Sequence, residues 1–212
     1  GMEAAGVVEG VGEGVALSPG TRVMVGSQHG AYAEEIVVPE AQALPWVPGF
    51  SPIEAAAFPV NFMTAWVALM VLARPRAGET VTISPAGGGV GTAAVQIALA
   101  HGCRVVALAG SEAKLERLRD LGAHATACYG VPGFPGALSA ALDGGGIDVA
   151  LEMVGGDVFR RVREAMAPFG RIVVAGYASL DYRWWNPLSL WRAWRGVPRI
   201  PLGEQFRRSL GF

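Results

Sequence analysis

The chain has 212 residues, 51% of them apolar and 30 of them glycine, enough for one large α/β domain or for one and a half domains. The formal net charge of −1 gives no general reason to expect nucleic acid as a partner. Cys103 and Cys128 match no metal-binding spacing, so we expect reduced core residues, and with no signal peptide at the start, a cytoplasmic location.

The first fifty residues carry strand signals only. Short β segments are predicted over residues 5–11, 20–25 and 30–39, the last of them ended by Pro39. The first helix signal follows, with Ser51 as N-cap, Pro52 at the first helical position and Glu54 completing a capping box. We therefore predict a small all-β domain over residues 1–55.

An apolar stretch at residues 55–73 has about the length of a membrane-spanning helix. It contains Pro59, Asn61 and Thr64, and the proline interrupts it near its start. We expect a helix buried against a sheet rather than a membrane span.

The chain is organised around residues 80–91, TVTISPAGGGVG. A β-branched run is followed by a glycine-rich turn, and then by a helical pattern that stops at His101 and Gly102. Strand, glycine turn and helix in this order are typical of a dinucleotide-binding turn, because free N–H groups at the helix start hold a pyrophosphate. The predicted contacts are Ala86, Gly87, Gly88, Gly89 and Val90.

This motif departs from the strict GxGxxG pattern because Ala86 stands at the first glycine position. Methyltransferases carry similar loops, and a purely structural glycine turn is the other alternative. The nucleotide-binding interpretation is favoured by the context, since a second strand at residues 104–109 and a second helix at residues 111–121 follow.

Strand and helix signals continue to alternate after this unit. Strands are predicted at residues 123–129, 148–152 and 171–175, and helices at residues 135–142 and 157–166. The pattern predicts an α/β fold with a doubly wound parallel sheet, a Rossmann domain over residues 56–185. Its ligand lies at the carboxyl ends of the strands, where we place Gly110, Ser111, Lys114, Val154, Gly176 and Tyr177 as further cofactor contacts.

The end of the second strand indicates the cofactor. Enzymes that use NAD place an acid there, on the ribose 2′-hydroxyl. This chain has Gly110 and Ser111 instead, with its only lysine, Lys114, one helical turn later. A hydroxyl and a cation suit a 2′-phosphate, so NADPH is predicted, although Glu112 argues against it and a solvated helix face is the alternative for Lys114.

Seven motifs together resemble the zinc-independent quinone oxidoreductases (zeta-crystallin-like) of the medium-chain dehydrogenase/reductase superfamily. They lie at residues 1–6, 30–34, 59–65, 86–91, 109–114, 121–123 and 154–156. The resemblance implies a GroES-like catalytic domain and a Rossmann domain with NADPH bound between them. It implies hydride transfer to quinones or to α,β-unsaturated carbonyls, and a homodimer formed through the edge of the nucleotide sheet.

The resemblance also suggests roles for three side chains. Tyr129 matches a family tyrosine near the phosphate end of the cofactor, although an ordinary strand-end aromatic is the alternative. Asn61 matches a position that hydrogen-bonds the substrate carbonyl, and Thr64 one that contacts the nicotinamide carboxamide. Each of these two is alternatively a residue that caps or starts the apolar helix.

Two departures from the family pattern bear on function. Met2 stands where zinc alcohol dehydrogenases of the superfamily have a metal-binding histidine, and His29, His101 and His124 lack ligand partners at short spacing, so we predict no metal. The family also has further segments on both sides of this chain, so a fragment or a truncated product is expected.

The last segment, residues 186–212, is rich in tryptophan and arginine. We interpret it as an amphipathic segment that covers the sheet and lines the substrate cleft, at the start of the return to the catalytic domain. Membrane-surface contact and single-stranded nucleic-acid binding are the alternatives. Three functions stay open for the whole chain: a quinone or enone reductase, an enoyl-thioester reductase, and a non-catalytic protein that binds NADPH.

Overall fold

The structure is a computed structural model that describes residues 1–178, 189 and 191. The predicted tail over residues 186–212 therefore lies outside the described residues, apart from two positions. The chain forms two compact units, Gly1–Thr64 and Ala65–Phe212.

The first unit contains a small antiparallel sheet in the order β1-β2-β3, with β1 at Glu3–Val7, β2 at Arg22–Gly26 and β3 at Ala43–Pro45. Strand β2 supplies the buried side chains Val23, Met24 and Val25. Pro45 is tolerated in β3 because this is an edge strand, where a missing N–H breaks no ladder.

The strand predicted over residues 30–39 is not formed. Tyr32 and Val37 are 94% and 99% exposed, so the alternating pattern has no buried face here. A strand also needs a neighbour for its N–H and C=O groups, and β2 pairs with β1 and β3 instead.

Helix α1 at Pro52–Ala57 begins as predicted. The Ser51 hydroxyl accepts a hydrogen bond from the Glu54 N–H at 3.3 Å, and the Glu54 carboxylate accepts one from the Ser51 N–H at 2.8 Å. The predicted capping box is therefore confirmed.

The apolar stretch at residues 55–73 contains the end of α1, α2 at Pro59–Trp66 and a π-helix at Val67–Ala73. Only one side of the π-helix is buried, through Ala68, Leu69 and Ala73, and this side packs on the second unit's sheet. The expected packing of a helix against a sheet is therefore found for one side of this segment, while Trp66, Val67, Val71 and Leu72 are exposed. In the part of the chain described here, no helix has both the length and the apolar character to cross a bilayer.

The second unit confirms the predicted α/β class, with a five-stranded parallel sheet in the order β6-β5-β4-β7-β8. Its strands are β4 at Thr80–Ser84, β5 at Arg104–Ala109, β6 at Ala125–Cys128, β7 at Ile147–Glu152 and β8 at Met166–Val174. The helices that join them are α3 at Gly89–Ala100, α4 at Glu112–Asp120, α5 at Phe134–Leu142 and α6 at Gly156–Glu164.

Strand β8 begins five residues before the predicted strand, and α6 ends two residues before its predicted end. The ladder between β7 and β8 has an irregularity between Ile147 and Val149, and Phe169 takes a left-handed backbone with φ of 61°. This bulge lets Met166 pair with Ile147 ahead of the regular pairing, which begins at Arg171.

Candidate functional site

The glycine turn joins β4 to α3 and leaves the start of that helix open. Gly88 is the N-cap of α3, and no side chain caps it. Gly88 and Gly89 are exposed, and a Cβ at Gly88 would meet nothing within 4 Å. The free N–H groups of this helix start therefore face open space, which is the arrangement that binds a phosphate.

Gly91 serves a different purpose in the same turn. A Cβ at this position would lie 2.1 Å from the Pro85 carbonyl oxygen and 2.7 Å from Ala86. Ala86 is fully buried, and its N–H donates to the Leu108 carbonyl at 2.7 Å. The third glycine of the motif thus allows α3 to pack closely on β4, as in dinucleotide-binding turns.

Lys114 lies across the glycine turn. A Cβ at Gly87 would be 3.0 Å from both Cβ and Cδ of Lys114, so the lysine stem covers Gly87. Ser111 is the N-cap of α4, and its hydroxyl makes no capping hydrogen bond. The structure therefore brings Lys114 and the first part of the turn together, as predicted from their order in the sequence.

The acid that argues against a 2′-phosphate here is already paired. The Glu112 carboxylate accepts a hydrogen bond from the Arg119 guanidinium at 2.6 Å, and Arg119 also donates to Thr126. An exposed pair of this kind adds little stability, but the positive charge offsets the negative charge of Glu112 locally.

Gly110, Tyr129 and Gly130 form the next part of the strand edge. The Tyr129 ring lies 3.3 Å from where a Gly110 Cβ would be, and a Cβ at Gly130 would lie 2.1 Å from the Gly110 carbonyl oxygen. Burial raises the pKa of Tyr129, and the negative charge of Glu152 raises it further. Two glycines thus permit the loops after β5 and β6 to touch, with Tyr129 fixed beside them.

Glu152 is a buried acid that the sequence analysis did not select. It lies at the end of β7, directly opposite Ser84 of β4, and its side chain is fully buried. Burial raises the pKa of Glu152, although hydrogen bonds from Val154, Gly155 and Ser84 act against this rise. A carboxyl at the end of a strand, after the apolar run Val149, Ala150 and Leu151, was the available signal in the sequence.

The loops after β7 and β8 complete this edge. Val154 is almost fully buried, Gly176 lies against Met153, and Tyr177 is 42% exposed. The Ala178 N–H donates to the Met153 carbonyl at 2.8 Å, which ties the two loops together. Within the second unit, every residue predicted to contact the cofactor thus lies in the loops that follow the carboxyl ends of the parallel strands or in the first turn of the next helix.

Comparison with known proteins gives consistent matches. The sequence profile of the zinc-binding dehydrogenase family matches residues 89–191. The synaptic vesicle membrane protein VAT-1 homolog of Rattus norvegicus is 32% identical over 202 residues, 90% of this chain and 50% of the relative. A probable quinone oxidoreductase of Leishmania amazonensis is 36% identical over 182 residues, 84% of this chain and 52% of the relative. The chain spans about half the length of the curated relatives it matches.

Solved structures agree with these matches. The quinone oxidoreductase of Thermus thermophilus, described alone and in complex with NADPH, is 38% identical with a TM-score of 0.67, over 97% of this chain and 62% of that chain. The chain is a quinone oxidoreductase-like member of the medium-chain dehydrogenase/reductase superfamily. The CurK enoyl reductase also matches, at 30% identity and a TM-score of 0.77, over 99% of this chain and 63% of that chain.

The first unit of this quinone oxidoreductase-like chain carries Asn61 and Thr64. Both residues lie on α2, and both are half-buried. The Asn61 side-chain amide donates to the Ala57 carbonyl at 2.8 Å, so this residue does stabilise the start of its own helix. An amide nitrogen carries two hydrogens, and one of them is left for a second acceptor. The catalytic roles of Asn61 and Thr64 stay predictions.

Histidines and cysteines of the described chain do not form a metal-binding group. Between residues 1 and 178, no cluster of three His, Cys, Asp or Glu side chains has the spacing of a metal site. The His101 ring lies 3.0 Å from the Pro75 carbonyl oxygen, and the His124 ring accepts a hydrogen bond from the Val105 N–H at 3.1 Å. Cys103 and Cys128 are free thiols, and of the two only Cys103 lies in the core, since Cys128 is half-buried.

Proposed function

We propose that the chain is part of an NADPH-dependent oxidoreductase that transfers a hydride to quinones or α,β-unsaturated carbonyls without zinc. The observation that carries this proposal is the open glycine turn with Lys114 lying across it. Membership of an oxidoreductase superfamily supports hydride transfer. The names of its quinone oxidoreductase relatives support the substrate class.

The proposed cofactor site has two parts with different chemistry. The uncapped N-terminus of α3 binds the pyrophosphate through backbone N–H groups and the helix dipole. Ser111 and Lys114 bind the 2′-phosphate, where an enzyme specific for NADH has an acid. Gly110 adds no side chain at the end of β5, and Arg119 offsets the charge of Glu112.

Hydride transfer requires few acid or base side chains from this chain. The bound nicotinamide supplies the hydride, and the protein orients the reactants and excludes water. We propose that Asn61 donates a hydrogen bond to the substrate carbonyl and that Thr64 contacts the nicotinamide carboxamide. In both roles the side chain binds and orients its partner, and it transfers no proton.

Zinc independence is proposed from Met2, because a thioether is a poor zinc ligand. We also propose a homodimer formed through an edge of the nucleotide sheet, where β6 and β8 are the outer strands of the described chain. A cytoplasmic location, a small-molecule substrate, and no nucleic-acid or membrane partner complete the proposal.

An enoyl-thioester reductase is the second candidate. The observation that supports it is the match to the CurK enoyl reductase at 30% identity and a TM-score of 0.77, whereas the Thermus quinone oxidoreductase has the higher identity of 38%. Both reactions use the same fold and the same hydride step, so the fold does not separate them.

Oxidation of the cofactor by two acceptors tests the proposed reaction. The full-length product is incubated with NADPH and either 9,10-phenanthrenequinone or an enoyl thioester, with and without EDTA, and loss of NADPH absorbance is followed. We expect faster oxidation with the quinone and no effect of EDTA. Faster oxidation with the thioester would favour the second candidate, and NADPH binding without turnover would favour a non-catalytic binding protein. Failure to bind NADPH at all would end the proposal.

A further inference from the structure

Glu152 lies at the point where the strand order of the parallel sheet reverses. The chain moves outward from β4 through β5 to β6, and then returns to the other side of β4 to form β7 and β8. The loops after β4 and β7 therefore leave the sheet in different directions and open a crevice, where dinucleotides bind in sheets of this kind. Ser84 and Glu152, the last residues of β4 and β7, are paired with each other in the sheet where this crevice begins.

Three neutral donors converge on the Glu152 carboxylate. The Ser84 hydroxyl donates to Oε1 at 2.9 Å, the Val154 N–H donates to Oε1 at 3.0 Å, and the Gly155 N–H donates to Oε2 at 2.9 Å. Ser84 is 1% exposed and Glu152 is fully buried. One side chain thus links the residue that precedes the glycine turn to the loop that precedes α6.

Backbone hydrogen bonds hold Met153, through the Ser84 and Ala178 backbones, and the Glu152 side chain adds two more at the N–H groups of Val154 and Gly155. Gly155 and Gly156, at the start of α6, both have positive φ values, of 80° and 58°. Glycine is flexible at such positions because it has no Cβ. A carboxyl group in an apolar core is costly unless it is fully hydrogen-bonded, so an apolar residue would suit the core better for packing alone.

The two sides of the crevice receive different halves of the cofactor. Ser111 and Lys114, the proposed 2′-phosphate ligands, follow β5 and therefore belong to the adenosine side. In a doubly wound sheet the other mononucleotide lies on the opposite side of the switch point, here over the loops after β7 and β8. The loop after β7 consists of residues 153–155.

We propose that Glu152 and Ser84 are positioning residues that hold residues 153–155 in place for the nicotinamide half of NADPH. This inference rests on the proposed function, since it needs a dinucleotide in the crevice. Neither residue touches the cofactor; Glu152 acts through the Val154 and Gly155 backbone, and Ser84 acts through Glu152.

Binding of whole and partial cofactors by three variants tests the pair. Glu152→Gln keeps the shape of the side chain, but its amide NH₂ cannot accept the hydrogen bonds that one carboxylate oxygen accepted. Ser84→Ala removes one donor only. Dissociation constants are measured by calorimetry for NADPH, for NADH and for adenosine 2′,5′-bisphosphate, which lacks the nicotinamide half, with circular dichroism as a check on folding.

For Glu152→Gln we expect NADPH and NADH to bind about tenfold more weakly or worse, while the bisphosphate binds as it does to the wild type. Ser84→Ala should also weaken the binding of both dinucleotides and leave the bisphosphate unaffected, but by a smaller factor. Lys114→Met, which removes the charge but keeps most of the stem that packs on Gly87, is the control with the opposite pattern, losing the bisphosphate and NADPH but keeping NADH. Unchanged dinucleotide binding by Glu152→Gln, or equal loss of the bisphosphate, would overturn the inference.

Two further outcomes are decided by the same measurements. If Glu152→Gln does not fold, Ser84→Ala decides. Equal effects of Ser84→Ala on the dinucleotides and on the bisphosphate would then reject the positioning role. If wild-type protein binds neither dinucleotide, the proposed function itself has failed. If the wild type binds both and the variants do likewise, the inference alone has failed.

Discussion

Lys114 combines packing and charge in one side chain. Its stem covers Gly87 of the glycine turn, and its ammonium group supplies the only lysine charge in the sequence. Since the stem fills space beside the turn, truncation to alanine would remove contact as well as charge. A substitution that separates the two is therefore the informative one.

Lys114→Met keeps most of the stem and removes the charge. We expect it to weaken NADPH binding about tenfold or more, because a charge-assisted hydrogen bond to the 2′-phosphate contributes about 1.5–3 kcal/mol. NADH lacks that phosphate and should bind as before. Calorimetric titration of both cofactors measures the difference, and Lys114→Arg, which keeps the charge, should retain the preference. Equal weakening of both cofactors would remove Lys114 from this role.

Residue roles were predictable from the sequence where a motif or a strand end placed them. The glycine turn, Ser111 and Lys114 follow from the order of strand, turn and helix, so they could be placed at one edge. The position of Glu152 at a strand end was visible in the sequence, but its role could not be assigned, because it depends on Ser84, which lies 68 positions away. Sheet register, and not local pattern, brings these two together.

At the scale of elements, the contact between β4 and α3 depends on Gly91. The missing side chain at this position allows the first turn of α3 to touch Pro85 and Ala86. Gly88, three residues earlier, has an ordinary φ of −103° and open space around it. The two glycines of one motif therefore have separate functions, one in packing and the other in access to the turn.

Gly91→Ala should destabilise the second unit by about 1–3 kcal/mol or more, because its methyl group overlaps the Pro85 carbonyl and forces the helix away. A melting temperature lower by several degrees is the expected result in thermal unfolding. Gly88→Ala is the matched control and should melt close to the wild type, while its methyl group obstructs the phosphate-binding turn. A Gly91→Ala protein as stable as Gly88→Ala would contradict this account.

Element boundaries were predictable in the second unit and less so in the first. Buried parallel strands and their crossover helices have strong periodic signals, and β5 at Arg104–Ala109 has the predicted limits. The segment at residues 30–39 has the composition of a strand, but no partner strand pairs with it in the described part of the chain. Local sequence carries no information about such a missing neighbour.

At the scale of the whole chain, two buried or half-buried acids in the second unit respond oppositely to pH. Burial acts to raise the pKa of Glu79, but hydrogen bonds from Arg171 and from the Arg76 N–H outweigh it and lower the pKa. Arg171 also donates to the Ala73 carbonyl at 2.7 Å, so this pair joins the end of the π-helix to β8 and to the start of β4. Glu152, by contrast, has a raised pKa because of burial.

The signs of the two shifts predict different pH windows. Because its folded-state pKa is lowered, Glu79 stabilises the fold at pH values above its ordinary pKa of 4.5. This contribution is lost as the pH falls through the folded-state pKa. The raised pKa of Glu152 has the opposite effect. Its contribution to stability is complete at pH values below 4.5 and is lost as the pH rises through the folded-state pKa.

We therefore expect Glu79→Gln to be less stable than the wild type near neutral pH, by about 1 kcal/mol or less, since Arg171 is 38% exposed. The difference should shrink as the pH is lowered from about 6 to about 3. Urea unfolding across this range measures it, with Glu116→Gln, an exposed acid on α4, as the control. A constant difference at every pH would show that the substitution acts through packing instead.

The single lysine has a practical consequence for work with this chain. Reagents that acylate or reductively alkylate amines can modify, apart from the N-terminus, one side chain only, and that side chain rests on the glycine turn. A fluorophore attached by this chemistry reports from the proposed cofactor edge without any engineered cysteine. For the same reason, every molecule that couples to a sensor surface through a side-chain amine would be held by that edge, so immobilisation should use another chemistry.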